Sequence, residues 1–444
     1  MVSQNTETIS ISAFTKDPFF GYDLGANMRP TSSLHTQVYP FLLSSAVAWA
    51  LGLGALRAAP TPPTDLPKVV TAPWALEGNY KPTRSEAVPD WQPPHLDETP
   101  PPPPLSAEHR ELLLATKQEK LPEPTWARYV MSNEWRHDVL FPKLAGLSGV
   151  FIGVATDQNY TMAAAARAAL LVTVDYDSDV VFTHRIYHHF IRVSPTAQDL
   201  LSFYASSGQP KALALLSQVA SSKEEETRLH KTYLRYRERL AIYLHQVAKL
   251  RVFDRKPTWL GDPAAYGYIR SLVLGGRVLA VQGDLNGAVT LRSIGDTARA
   301  LKLPVRVIYT SNAEGFFQYG QAIKDNLAAL PHDEKTVVVR TYKRGMTAPL
   351  GDLWHYNVHK LDDFLLRSMT PGYSNVAAIM SDLRKTPLGR KRIEPLGVSY
   401  LDEGIPITTP PALPGAAKKP SDKTPEKGAV SVASQLGSAT LANK

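Results

Sequence analysis

The sequence predicts an α/β domain over residues 121–404, built on a mostly parallel sheet with helices on both faces. Between about residues 125 and 401, short apolar runs alternate with helical stretches. Such alternation is typical of βαβ units. The runs are apolar at nearly every position, as expected for strands that are buried on both faces.

Five apolar runs predict the strands of this sheet. They cover residues 149–154, 170–174, 278–281, 305–309 and 336–340. Helices are predicted between them at residues 163–169, 178–191, 291–301 and 316–330, where the composition or the apolar spacing favours a helix.

A helical insertion is predicted at about residues 195–260. Within it, apolar residues recur every three or four positions from 223 to 250 and indicate one long amphipathic helix. Ser222 with Glu225 three positions later is the pattern of a capping box at its start. The helix is interpreted either as a lid or as a plain packing helix.

Polar residues are concentrated in the four loops that directly follow the first four strands. These loops are 155–160, 175–179, 283–286 and 310–314, and each contains Asp, Asn or Glu. Ligands of open α/β sheets bind beyond the carboxyl ends of the strands. We therefore expect a ligand, most simply a small molecule, in one cleft formed by these loops.

Four sequence strings resemble a little-characterised bacterial family whose fold is similar to the class I S-adenosylmethionine methyltransferases. The strings are FIGVATDQNY, VTVDYDSDVVFTHRIY, VIYTSNAEGFFQYG and DLWHYNV, and the resemblance covers residues 148–366. The motifs DQNY (157–160) and SNAE (311–314) are typical of the family. The resemblance implies a Rossmann-like sheet and S-adenosylmethionine as the candidate cofactor.

The same resemblance implies roles for nine residues. Gly153 and the following loop would hold the cofactor, Asp175 its ribose hydroxyls and Asp284 its adenine amine, while Asn312 or Glu314 would orient the substrate. Two hydroxyl donors suit a fixed carboxylate acceptor such as that of Asp175. The remaining cofactor candidates are Thr156, Asp157, Asn159 and Ser311.

The sequence departs from the methyltransferase pattern in the first loop. A GxGxG motif is absent, and Gly153 is followed by the large side chains of Gln158 and Tyr160. Small residues there normally let the backbone approach a ligand. These side chains would either block S-adenosylmethionine or reshape the site, so a non-catalytic binding module with a degenerate cofactor site is the alternative to a transferase.

A metal-dependent hydrolase is a further alternative, although no metal is favoured. Asp175, Asp177 and Asp179 alternate ahead of His184 and His188, which are four residues apart on a predicted helix. Carboxylates and paired imidazoles are metal ligands. The competing interpretation is that Asp179 caps the helix and that the histidines lie on the surface.

The cluster from Trp354 to His359 also has two interpretations. Asp352 and His355 are of the right types for an acid–base pair. The ordinary alternative is that these residues pack at the edge of the sheet.

The terminal regions predict a different organisation. Residues 38–56 carry no charge, so residues 1–58 are interpreted as a leader with a signal or membrane-anchor segment, and the protein as exported to the cell envelope or periplasm. A buried hydrophobic helix in a cytoplasmic protein is the alternative. Residues 59–120 are expected to form a proline-rich linker, because sixteen of the 36 prolines lie between Pro60 and Pro124, and residues 405–444 a disordered tail.

Composition excludes some chemistry. The chain has no cysteine, which rules out disulfides, thiolate metal sites and a cysteine nucleophile. The net charge of +8 is spread along the sequence without a dense basic face, so a nucleic-acid partner is not favoured. The sequence makes no prediction about oligomeric state.

Overall fold

The computed structural model describes residues 99–124 and 128–408. The predicted leader, most of the predicted linker and nearly all of the tail lie outside these residues. No helix within the described ranges is both long enough and apolar enough to span a bilayer.

Eight strands form a single sheet, in the order β3-β2-β1-β4-β5-β6-β8-β7. The strands are β1 Val150–Gly153, β2 Leu170–Asp175, β3 Val278–Gln282, β4 Val305–Ser311, β5 Val337–Tyr342, β6 His355–Lys360, β7 Ile393–Glu394 and β8 Val398–Leu401. The five predicted strands are β1 to β5, and each is confirmed with its bounds within two residues of the prediction.

The sheet is mostly parallel, as predicted. Strands β1 to β5 run parallel to one another, and in the centre Ile152 lies opposite Val172 on one side and Ile308 on the other. Strand β6 is antiparallel to β5, β8 is parallel to β6, and β7 is antiparallel to β8. The carboxyl ends of β1 to β5 therefore share one edge of the sheet.

Alternate residues of the strands enter two separate apolar cores, because successive side chains point to opposite faces. Phe151 belongs to one core, and its neighbours Val150 and Ile152 belong to the other. Both faces of the sheet are thus covered, which is why the strands are apolar at nearly every position.

Helices cover both faces. Their bounds are α1 Ala107–Leu114, α2 Phe141–Leu144, α3 Gln158–Ala166, α4 Ser178–Val193, α5 Ala197–Ser202, α6 Gln209–Val219, α7 Lys223–Lys249, α8 Pro263–Leu274, α9 Thr290–Ala300, α10 Gln321–Ala328, α11 Leu361–Met369, α12 Val376–Lys385 and α13 Pro387–Lys391. Helices α3 to α8 contribute side chains to the Phe151 core, whereas α1 and α9 to α12 contribute to the Ile152 core.

The long helix α7 agrees with the prediction, but its capping differs in one contact. The Ser222 hydroxyl accepts the Glu225 N–H at 3.2 Å, as a capping box requires. The Glu225 carboxylate, however, accepts the N–H of Ser221 at 2.8 Å instead of that of Ser222. The amino end of α7 is therefore capped by two adjacent serines acting with one glutamate.

Two predicted helix starts were wrong. Helix α3 begins at Gln158, five residues before the alanine run, so most of the DQNY motif lies inside the helix. Helix α10 begins only at Gln321, because Ala313–Gly315 forms a short 3₁₀ turn and residues 316–320 are irregular.

The segment 99–120 is part of the folded domain, although it was expected to belong to the linker. The amide of Leu105 donates to the carbonyl of Gly275 at 2.9 Å, and Leu113 of α1 is buried in the Ile152 core. The run of prolines can pack here because proline carbonyls still accept hydrogen bonds. Nε of Arg277 donates to the carbonyl of Pro103 at 2.6 Å. At the other end, Ile405 is also buried.

Candidate functional site

A strap formed by residues 128–138 crosses the edge of the sheet at which β1 to β5 end. Arg128 donates to Asp177, beyond β2, at 2.6 Å. Next along the strap, the carbonyl of Val130 accepts the hydroxyl of Thr156, beyond β1, at 3.2 Å. The strap therefore lies over the ends of β2 and β1, where the cofactor was expected.

The strap continues over β4 and β5 through a buried carboxylate. Glu134 accepts the Ser311 hydroxyl at 2.6 Å and the Thr341 hydroxyl at 2.7 Å, and it also accepts the hydroxyl of Tyr309. The hydroxyl of Ser311, a predicted cofactor residue, thus donates to a side chain of the protein and not to a cofactor. Sequence reasoning missed Glu134 because it is 177 residues from Ser311 and belongs to no recognisable motif.

Beyond Glu134, the strap is attached to the turn before β6. The amides of Trp135 and Arg136 both donate to the Asp352 carboxylate at 2.8 Å. His355 contacts other groups: its Nδ1 bonds to the carbonyl of Thr347 and its Nε2 to the hydroxyl of Ser399, both at 2.7 Å. Asp352 and His355 consequently do not form an acid–base pair.

Gly153, the predicted cofactor glycine, is required by a neighbouring side chain. A Cβ atom at Gly153 would overlap Oδ1 of Asn159 and lie 2.7 Å from its Cγ. Asn159 is fully buried and donates through Nδ2 to the carbonyls of Val154 and Thr156, at 2.8 Å each. The space that a glycine leaves free at the end of β1 is therefore filled by Asn159.

The first loop points its polar side chains into the protein. Asp157 is buried and accepts the Tyr243 hydroxyl at 2.8 Å and the Trp259 indole N–H at 2.9 Å. Burial raises the pKa of Asp157, and the two hydrogen bonds, which lower it, only partly offset this effect. Gln158 is also buried, and its Oε1 accepts the N–H of Thr156 at 3.1 Å. These residues connect the loop to helix α7 of the insertion and to the segment before α8.

Asp175 holds two backbone segments together. Its carboxylate accepts the N–H of Ala155 at 3.0 Å and that of Asp177 at 2.8 Å, which joins the loops after β1 and β2. Burial raises the pKa of Asp175 to about 7. Because it takes up a proton more readily than usual, Asp175 is a weaker acceptor for ribose hydroxyls than an ordinary aspartate would be.

Asp284 forms a turn within its own loop. Its carboxylate accepts the N–H of Asn286 at 2.9 Å. The neighbouring Glu119, from the segment expected to be linker, accepts the amides of Val289 and Thr290 at 2.7 and 3.0 Å. A carboxylate at the amino end of α9 interacts favourably with the helix dipole, so Glu119 stabilises the loop between β3 and α9.

The proposed metal ligands do not converge. Nδ1 of His184 bonds to the Tyr160 hydroxyl at 2.7 Å, and Nε2 to the carbonyl of Ala155 at 2.8 Å, so both ring nitrogens are engaged. Asp177, and not Asp179, caps helix α4, and His184 is buried instead of exposed. Over residues 99–124 and 128–408, no group of three or more acidic or histidine side chains is arranged to hold a metal ion.

A cavity of about 580 Å³ lies at the carboxyl ends of β4 and β5, beside helix α12. Asn312 and Glu314 line it, whereas none of the seven predicted cofactor residues does. The rest of the wall comes from residues 315–318, the end of β5, the β5–β6 loop, residues 372–375 and one side of α12. Among the lining residues are Phe316, Phe317, Gln318, Thr341, Tyr342, Lys343, Arg344, Ser374, Asn375, Ser381, Arg384 and Lys385.

Glu314 has a fixed charge at the wall of this cavity. It accepts Nε of Arg340 at 2.9 Å and the hydroxyl of Thr310 at 2.5 Å, and also the hydroxyl of Tyr319. Burial works to raise the pKa of Glu314, but the Arg340 charge and these hydrogen bonds outweigh it and hold the pKa below its ordinary value. Glu314 is therefore an ionised structural acceptor, unsuited to exchanging a proton with a substrate near neutral pH.

The predicted site residues thus share one edge of the sheet without sharing one cleft. Those of the first three loops are hydrogen-bonded to other groups of the protein, while Asn312 and Glu314 face an open cavity further along the edge. The molecule is an α/β domain with a ligand-sized cavity at its strand ends. The chain belongs to the family described as a domain of unknown function (DUF7790), whose sequence model matches residues 129–397. No curated protein matches the chain.

Proposed function

We propose that this protein is a small-molecule-binding module with a methyltransferase-like Rossmann fold in which the cofactor position has been closed by the protein itself. The order 3-2-1-4-5 of the parallel strands supports the Rossmann-like assignment. The observation that carries the proposal is the position of the cavity, which lies beyond β4 and β5 and is lined by Asn312 and Glu314 instead of Asp175.

The residues at the expected cofactor position do not fit S-adenosylmethionine. The cradle above Gly153 is filled by Asn159, and the loop that follows it is bound to the strap. Both oxygens of Asp175 already accept backbone amides. Methyl transfer is therefore not part of the proposed function. The groups around the β4–β5 cavity hold the ligand of the module.

Calorimetry on the full chain tests the closure. We expect no heat with S-adenosylmethionine or S-adenosylhomocysteine at millimolar concentration. Micromolar binding of either compound that is lost in Asp175→Ala but retained in a surface control, Asp296→Ala, would overturn the proposal. Asp296 suits the control because it lies exposed on helix α9.

Crystals of the protein soaked with a library of small fragments test the location of the ligand site. Fragments are expected to collect in the cavity between the β4–β5 ends and α12. Fragments that collect instead beside Asp175, with the cavity empty at the same concentrations, would contradict the proposal. The substitution Asn312→Trp, which places a large ring in the cavity wall, should then reduce fragment occupancy there.

We also propose that the protein is exported or anchored through residues 38–56, which are uncharged and as long as a membrane-spanning segment requires. Fractionation of the native host tests this idea. We expect the protein in the envelope or periplasmic fraction, and unprocessed full-length protein in the cytosolic fraction would refute export.

A further inference from the structure

The mouth of the β4–β5 cavity carries positive charge that the protein does not neutralise. Lys343 and Arg344 lie on the β5–β6 loop, and Arg384 and Lys385 on the last turn of α12, and all of them line the cavity. Within the described part of the chain, none of these side chains forms an ion pair. The carboxylate at the wall, Glu314, is already paired with Arg340.

Arg344 and Arg384 come from different elements that meet at the cavity. The Nη1 atom of Arg384 lies against the turn that contains Arg344, since a Cβ atom added at Gly345 would be 2.6 Å from it. Both guanidinium groups also act on the hydroxyl of Tyr342: burial raises the pKa of Tyr342, and the charges of Arg384 and Arg344 oppose that rise. Like charges repel, so two guanidiniums that line one cavity without a counterion become more stable when an anion binds.

The other walls of the cavity suit a planar ring. Phe316 is 68% exposed, and Trp354 lines the same space. Aromatic side chains bind rings by stacking or edge contacts. Asn312 and Gln318 add amide groups that both donate and accept hydrogen bonds, as the edge of a heterocycle requires.

We infer that the cavity binds a small organic phosphate with a planar ring, its phosphate lying between Arg344 and Arg384 and its ring against Phe316. Guanidinium groups are well matched to phosphate because they donate two parallel hydrogen bonds. A cavity of about 580 Å³ is of the size that holds one such molecule. This inference rests on the proposed function, since it names the ligand class of the same cavity.

Calorimetric titration of the full chain with adenosine monophosphate, pyrophosphate and adenosine tests the inference. We expect adenosine monophosphate and pyrophosphate to bind, and adenosine to bind at least ten-fold more weakly than its monophosphate. The affinities of the two phosphates should fall as the salt concentration is raised. The double variant Arg344→Ala/Arg384→Ala should lower the affinity for adenosine monophosphate by about ten-fold or more, which is the size expected for loss of charge-assisted hydrogen bonds.

The matched control is Lys231→Ala/Lys335→Ala, which removes the same charge from two exposed lysines that do not line the cavity. It should change the affinity less than two-fold, and urea unfolding should show that both double variants are folded. Equal losses in the two double variants, or equal affinity for adenosine and its monophosphate, would overturn the inference.

The failures of the two proposals are distinguishable. If neither phosphate gives heat but fragments bind in the cavity, the inferred phosphate ligand is refuted and the proposed binding module is retained. Binding of S-adenosylhomocysteine beside Asp175 would instead refute the proposed function itself.

Discussion

The substitution Gly153→Ala tests whether the glycine at the end of β1 serves the protein or a cofactor. Its new methyl group would overlap the Asn159 side chain, which is buried and donates to two carbonyls. Asn159 must then leave its place. Each lost hydrogen bond costs about 1 kcal/mol, and a buried carbonyl left without a partner costs about 1–3 kcal/mol. We expect Gly153→Ala to lower the free energy of unfolding by about 2–4 kcal/mol.

A double-mutant cycle separates this clash from other effects. Asn159→Ala alone removes the same hydrogen bonds and should also cost about 2–3 kcal/mol. In that background the clash with Asn159 is gone and the contact of the new Cβ with a ring carbon of Phe151, at 2.9 Å, remains, so adding Gly153→Ala should cost about 2 kcal/mol less than it does alone. The two residues are therefore expected to couple by about 2 kcal/mol.

Urea unfolding of the full chain, followed by tryptophan fluorescence and by circular dichroism, provides the assay. Gly267→Ala is the matched control, because Gly267 lies on the exposed face of α8 with no atom within 4 Å of an added Cβ. It should stabilise the protein by about 0.5–1 kcal/mol. Additive costs for Gly153→Ala and Asn159→Ala would show that Asn159 is not the reason for the glycine.

Three further outcomes are expected. Glu314→Gln breaks a buried ion pair and should destabilise the protein by about 3–5 kcal/mol, whereas Glu314→Gln/Arg340→Met should recover part of that loss in urea unfolding; no recovery would refute the pairing. Burial lowers the pKa of His355 to about 4 from its ordinary 6.5, so its contribution to stability is complete above pH 6.5 and is lost as the pH falls towards 4. The free energy of unfolding should consequently fall by about 1.4 kcal/mol per pH unit more in the wild type than in His355→Gln across this window, and parallel profiles would contradict the shift. Tyr243→Phe removes one donor to buried Asp157 and should cost about 1–2 kcal/mol, with an unchanged unfolding midpoint as the refuting result.

The strands and most of the helices could be predicted because their signals are local. The apolar runs of β1 to β5 and the repeat along α7 are properties of short windows, and the structure places these elements close to the predicted positions. The start of α10 could not be predicted, since the same residues 316–320 would suit a helix and are held instead by tertiary contacts such as that of the Tyr319 N–H, which donates to the carbonyl of Ser374 at 2.7 Å.

The closure of the first loop was only partly visible in the sequence. The absence of a glycine-rich motif indicated a crowded site, and the large side chains of Gln158 and Tyr160 indicated what would crowd it. The partners of the loop could not be inferred, because Tyr243 is 86 residues and Trp259 is 102 residues from Asp157 along the chain. The basic mouth of the cavity was missed for a similar reason: the β5–β6 loop and α12 meet only in the folded protein.

The strap has a consequence for how the domain folds. It precedes every strand in the chain, yet Glu134 bonds to Ser311 over 177 residues and Trp135 bonds to Asp352 over 217 residues. Closing loops of such length costs conformational entropy that the late contacts must offset, and distant pairings slow folding. During synthesis the strap leaves the ribosome before every strand, and the partners of its residues 134–136 exist only once β4, β5 and the turn before β6 have been made. Docking of this part of the strap is therefore a late event of folding.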